Sequence, residues 1–130
     1  MDFKPVPLLL ILALAACNIG VERVDVSGSA RDLRFAAVAS EREEPVCIKT
    51  ASVSQVEPED AEPVWQVTAL RTDKCVSVVG YGRETTELAQ EAPARTLRAG
   101  VPYRVRMSGS GFSFTRDFSI SPKGDLTVLD

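Results

Sequence analysis

The sequence has no histidine at all. That absence removes the commonest general base and the usual partner of a serine or cysteine nucleophile, so hydrolytic chemistry is disfavoured and no enzymatic activity is expected. Basic residues are not concentrated anywhere either. The net charge is −3, and lysine and arginine are scattered singly, which argues against a nucleic-acid partner and against a basic stripe for anionic lipid. A phosphate cradle is missing as well: Ser108-Gly109-Ser110-Gly111 has the glycines but neither the following lysine nor a helix, so it is expected to be a hairpin turn. No amphipathic helix is convincing, a helical turn or two at residues 84–90 being the nearest alternative. Nor is there an apolar run of the ~20 residues needed to cross a bilayer core.

What is present begins at the N-terminus. Lys4 precedes Leu8-Leu9-Leu10-Ile11-Leu12-Ala13-Leu14, and the apolar run closes on Leu14-Ala15-Ala16-Cys17. A basic start, a short apolar core and small residues before one cysteine resemble a bacterial lipobox. The resemblance implies cleavage between Ala16 and Cys17, a diacylglycerol on the Cys17 thiol and anchoring at the periplasmic face of the envelope. Asn18 stands where lipoproteins held at the inner membrane typically carry aspartate, which points to the outer membrane. An ordinary signal peptide that happens to place Cys17 near its cleavage site is the competing reading. The chain therefore divides into an export segment at residues 1–16, a lipidated cysteine and tether at 17–31, and one domain at 32–130.

Once Cys17 is assigned to lipid, Cys47 and Cys75 remain as an even pair in an exported chain and are expected to form a disulfide. Zinc is the alternative, but two isolated cysteines supply too few soft ligands. No metal and no cofactor are expected.

The domain reads as strands. Leu33, Phe35, Ala37 and Ala39 fall at alternate positions, a period of two that puts them on one face of a strand. After a charged turn, a strand is expected to open at Val46 and carry Cys47. Residues 64–70 are rich in β-branched and aromatic types and hold the single tryptophan, Trp65. Residues 75–79 have apolar side chains on both faces, which suggests a central strand. Trp65 is expected either to pack beside the cysteine pair or merely to share its strand pair. Residues 83–99 read as an irregular crossover with an edge strand near Arg95-Thr96-Leu97. The clearest pattern follows: Val101, Tyr103, Val105 and Met107, then Phe112, Phe114, Phe118 and Ile120, define the buried face of a hairpin. Arg116 falls on that apolar face and requires a bulge, an edge position or an ion pair. Seven or eight short strands with turn signals roughly every 8–12 residues predict an all-β sandwich of immunoglobulin-like or transthyretin-like build, with a small barrel as the alternative.

The remaining candidate site is acidic. Glu57, Glu59, Asp60 and Glu62 share a stretch with Pro58 and Pro63 and show no apolar periodicity. Calcium ligation is one reading, but the spacing lacks an EF-hand's glycine and terminal glutamate. A solvated loop that attracts a basic protein partner is the favoured one.

The order of these features resembles a family of short bacterial lipoproteins described as type VI secretion immunity proteins. The resemblance is carried by Cys17 closing the signal, Cys47, Trp65-Gln66-Val67, Cys75, Tyr103-Arg104-Val105, and Phe118-Ser119-Ile120 before Gly124. The loop at residues 57–62 and the connection at 83–99 are longer than in that family's pattern. What the resemblance implies is a periplasmic binder that neutralises a toxin delivered by a neighbouring cell. An accessory lipoprotein of an envelope or secretion assembly is the alternative. A small-molecule substrate is not expected in either case.

Overall fold

The computed structural model describes residues 22–39, 44–71 and 73–129. The expected export segment and Cys17 lie outside the described residues. The strands are β1 Glu22–Ser27, β2 Arg34–Ala39, β3 Glu44–Pro45, β4 Thr50–Gln55, β5 Trp65–Ala69, β6 Val78–Gly80, β7 Leu88–Ala92, β8 Tyr103–Gly109, β9 Phe112–Ile120 and β10 Leu126–Leu129. They form two antiparallel sheets. One has the order β10-β9-β8-β4-β5-β7; in the other, β1 pairs with one edge of β2, while β3 and β6 follow one another along its other edge. The fold is the expected β-sandwich, divided more finely than seven or eight strands because one edge of β2 is covered in two pieces, of two and three residues.

Alternation produces the core as the sequence implied. Val24, Phe35, Ala51, Val53, Trp65, Val67, Tyr103, Val105, Met107 and Phe118 point between the sheets and are buried. Phe35 sits at the centre, its ring 6.2 Å from that of Trp65 and 5.6 Å from that of Phe118. Tyr103 stacks on Phe118 at 6.0 Å. Such ring pairs add about 0.5–1.5 kcal/mol each beyond the area they bury.

Several local expectations are corrected. The tether does not run to residue 31: β1 pairs with β2 over its whole length and buries Val24, so the sandwich begins at Glu22. Val24 and Val26 were the signal, diluted by the small polar residues after them. The edge strand is not at Arg95-Thr96-Leu97 but at β7, where Leu88 pairs with Ala69 and is buried. A stretch rich in glutamate and alanine is a poor strand by propensity, and tertiary pairing overrides it. Residues 75–79 do not form a central strand. Among the described residues β6 pairs only with β2, and Val78 is 55% exposed. The segment from Val46 likewise leaves its sheet at once, because Cys47 lies on the passage from β3 to β4. Arg116 needs no bulge: the β8–β9 register runs through it opposite Val105, and it is half-buried.

The two ends of the sandwich differ, and strand direction decides which groups meet at each. Glu22 lies opposite Ala39, and Ala39 opposite Glu44, so β1 starts at the end where the chain turns from β2 into β3. That same end holds the β8–β9 turn and the chain between β5 and β6. At the other end, Ser29 bridges to Asp125 in the β9–β10 turn. Gln55 pairs there with Tyr103, and the amide of Val56 donates to Pro102 O at 3.1 Å, which puts the acidic loop on that side.

Candidate functional site

The acidic loop is built on a firm frame. Val64 N donates to Val53 O at 2.7 Å, closing the loop where β5 begins, and Ala61 N donates to Pro58 O at 3.0 Å within it. Glu57, Glu59, Asp60 and Glu62 are all exposed. The four side chains stand on one loop without converging: among the described residues no group of three or more metal-ligating side chains is gathered anywhere.

Beside this loop the outward face of the six-stranded sheet is polar. Glu59 borders a recess of about 80 Å³ lined also by Ser52, Ser54, Arg104 and Arg106. Arg104 holds the Asp117 carboxylate with two hydrogen bonds, at 2.7 and 3.0 Å. That hydrogen bonding raises the guanidinium pKa above its ordinary value, and the nearby charge of Glu59 adds to the effect. One of the four loop carboxylates thus faces an arginine of its own domain, while Glu57, Asp60 and Glu62 point to solvent.

Next to the loop, residues 93–98 are fastened by side chains. Tyr81 Oη donates to Arg95 O at 2.6 Å, and Tyr103 Oη accepts from Arg98 N at 2.9 Å. Burial pushes the Tyr81 phenol up to about 12. Trp65 donates from Nε1 to Gln90 Oε1 at 3.1 Å, and Gln90 Nε2 donates to Glu84 Oε1 at 2.8 Å. Trp65 is thereby committed to Phe35, Tyr81 and Gln90 at the start of β5, while the cysteine pair sits beyond the strand's other end at Ala69. It shares a strand connection with the bridge and does not pack on it.

At the opposite end, Cys47 and Cys75 form a disulfide with Cα atoms 4.9 Å apart, and both residues are exposed. Ser108-Gly109-Ser110-Gly111 is the expected hairpin turn, with Gly111 at φ +81° and Ser108 Oγ bonded to Ser113 Oγ at 3.1 Å. Between turn and bridge lies a groove of about 690 Å³ that the sequence reading missed. Its floor is apolar, from Val46, Ile48, Ala69 and Phe112, and its rim carries Lys49, Arg71 and Lys74. The available signal was the placing of cations around both cysteines, in Cys47-Ile48-Lys49 and in Arg71 and Lys74 just ahead of Cys75.

Comparison with protein-family models, with curated proteins and with solved structures returns no match for the chain. Fold and side-chain placement therefore carry the functional argument alone.

Proposed function

We propose that the chain is a lipid-anchored periplasmic lipoprotein whose sandwich binds a protein partner, neutralising a toxin delivered through type VI secretion. The observation that supports this most is directional. The chain enters β1 at one end of the sandwich, and the loop bearing Glu57, Glu59, Asp60 and Glu62 stands at the other. Only residues 18–21 separate Cys17 from Glu22 at the start of β1, a reach of roughly 17–18 Å when fully extended. An acylated Cys17 would hold the entry end close to the bilayer and present the acidic loop away from it, towards the periplasm.

The loop suits that role chemically. It is exposed, its backbone is held at both ends, and among the described residues three of its four carboxylates have no salt-bridge partner, so a basic surface meets negative charge without first having to displace one. The entry end is nearer the membrane, which limits what a soluble partner can reach there.

The test has two parts. Mass spectrometry of the mature N-terminus should find a diacylated, processed Cys17, and Cys17→Ser should abolish it; an unmodified N-terminus elsewhere would reject the anchor. The domain should then capture a secreted toxin and protect a susceptible cell from it. Capture of an envelope component with no protection would replace immunity by an accessory role.

A further inference from the structure

The geometry points to a second site: the groove beside the Cys47–Cys75 bridge binds a long-chain carboxylate, with the apolar tail on the floor and the head group at the lysine rim. This inference does not depend on the acidic loop or on any protein partner.

The groove has the size of a small-molecule site, about 690 Å³ against the usual range of ~300–1,000 Å³. Its floor is made where the chain changes sheets. Val46 and Ile48 come from the passage between β3 and β4, Ala69 from the end of β5, and Phe112 from the start of β9. Phe112 is fixed by contact: a Cβ on Gly109 would stand 2.5 Å from its ring and 2.8 Å from the Cys47 carbonyl oxygen. The ring therefore lies folded over a glycine against the cysteine segment.

The rim sets the charge of the occupant. Arg71 is held by Asp73 at 2.6 Å. Lys49 and Lys74 are exposed and, among the described residues, have no carboxylate within salt-bridge distance. Two ammonium groups without a carboxylate partner among the described residues, at the mouth of an apolar groove, complement an anion that carries an apolar body.

Backbone chemistry then distinguishes an acyl chain from a peptide. A peptide laid in a groove needs donors and acceptors for its own amides. Four backbone donors lining this groove are already used: Val46 N donates to Ala37 O at 2.9 Å, Ile48 N to Val76 O at 2.8 Å, Lys49 N to Ser108 O at 2.7 Å, and Ala69 N to Lys49 O at 2.7 Å. A hydrocarbon chain needs none of them. Its only polar group is the carboxylate, which the lysines meet at the rim.

The experiment uses the full chain carrying Cys17→Ser, so that no lipid of its own competes, with the fluorescent fatty acid cis-parinarate as probe. Saturable binding is expected, with displacement by palmitate and at least tenfold weaker displacement by hexadecanol, which has the tail without the charge. Lys49→Gln with Lys74→Gln should weaken palmitate at least tenfold and leave hexadecanol unchanged; both lysines are exposed, so the variant keeps the fold, as circular dichroism checks. Absence of saturable binding overturns the proposal. So does equal displacement by palmitate and hexadecanol, or palmitate binding indifferent to the lysine changes. An acidic apolar peptide such as Glu-Glu-Leu-Phe displacing the probe better than palmitate would assign the groove to a protein segment and reject the acyl ligand.

Discussion

Cys47 and Cys75 tie together two of the stretches on which the chain passes from one sheet to the other. Cys47 lies between β3 and β4, Cys75 between β5 and β6, and the amide of Ile48 donates to Val76 O at 2.8 Å next to the bridge. Apart from the backbone bridge of Ser29 to Asp125 at the other end, sandwich cohesion comes chiefly from apolar contact across the interior, which is non-directional. The covalent link and this hydrogen bond fix how the sheets register at the entry end, and both also frame the groove.

Because both cysteines are exposed, the bridge stabilises chiefly through the unfolded chain. A sequence separation of 28 corresponds to roughly 3–4 kcal/mol of lost denatured-state entropy. Cys47→Ser with Cys75→Ser is expected to lower stability by about 2–5 kcal/mol in urea titrations while leaving the folded circular dichroism spectrum intact. If the midpoint did not move on reduction, the bridge would contribute nothing to the fold.

Gly109 is a test of packing. Its φ is not in the left-handed region, so a side chain is resisted by neighbours and not by the backbone; the obstacles are the Phe112 ring and the Cys47 carbonyl oxygen. Gly109→Ala should cost about 1–3 kcal/mol, the usual price of overpacking. Phe112→Ala in the same chain should recover part of that cost, which a double-mutant cycle of urea midpoints measures. Strictly additive losses would mean that the ring is not the obstacle.

Much of this architecture was legible because a sheet with one wet face imprints a period of two. Tyr103, Val105, Met107 and Phe118 announced their own burial, and the even cysteine remainder announced the bridge. β7 was illegible for a physical reason: Leu88 is a single apolar residue among glutamate, glutamine and alanine, and only pairing with β5 makes the segment a strand. β1 was hidden because a two-valine strand next to Ser27, Gly28 and Ser29 has the composition of a linker. The acidic loop could be read directly, since charge and proline exclude burial. Its cross-strand neighbour Arg104 could not, because the facing of Glu59 and Arg104 depends on which strand lies beside β4. The groove was the least legible, as its floor comes from three separated segments.

The Tyr81 phenol gives a pH signature. Burial chiefly raises it from 10.0 to about 12. Through that interval the unfolded chain has lost a proton that the folded one retains, so unfolding is increasingly favoured as pH rises. The stabilising contribution is whole below pH 10 and disappears as pH climbs through about 12. Tyr81→Phe has no phenol to ionise. Its urea midpoint should therefore fall less steeply over this interval than that of the unsubstituted chain, although it starts lower for want of the 2.6 Å bond to Arg95 O. Parallel curves would show that the phenol ionises equally well in both states.

The acidic loop makes its prediction through rates. Glu57→Gln, Glu59→Gln, Asp60→Asn and Glu62→Gln together remove four exposed negative charges, and surface changes of this kind usually alter stability by no more than about 0.5 kcal/mol. Rim charges steer encounter more than they hold the final complex. Association with a basic partner should accordingly slow at low salt, with little change in dissociation. The difference should shrink as salt rises, because the screening length falls from about 10 Å at 0.1 M to about 3 Å at 1 M. Glu59→Gln alone should have the smallest effect of the four, since its charge is already partly offset by Arg104. Stopped-flow association across a salt series separates the outcomes. Rates indifferent to all four substitutions would remove the loop from the encounter surface and direct attention to Arg104, Arg106 and the hydroxyl-rich sheet face around them.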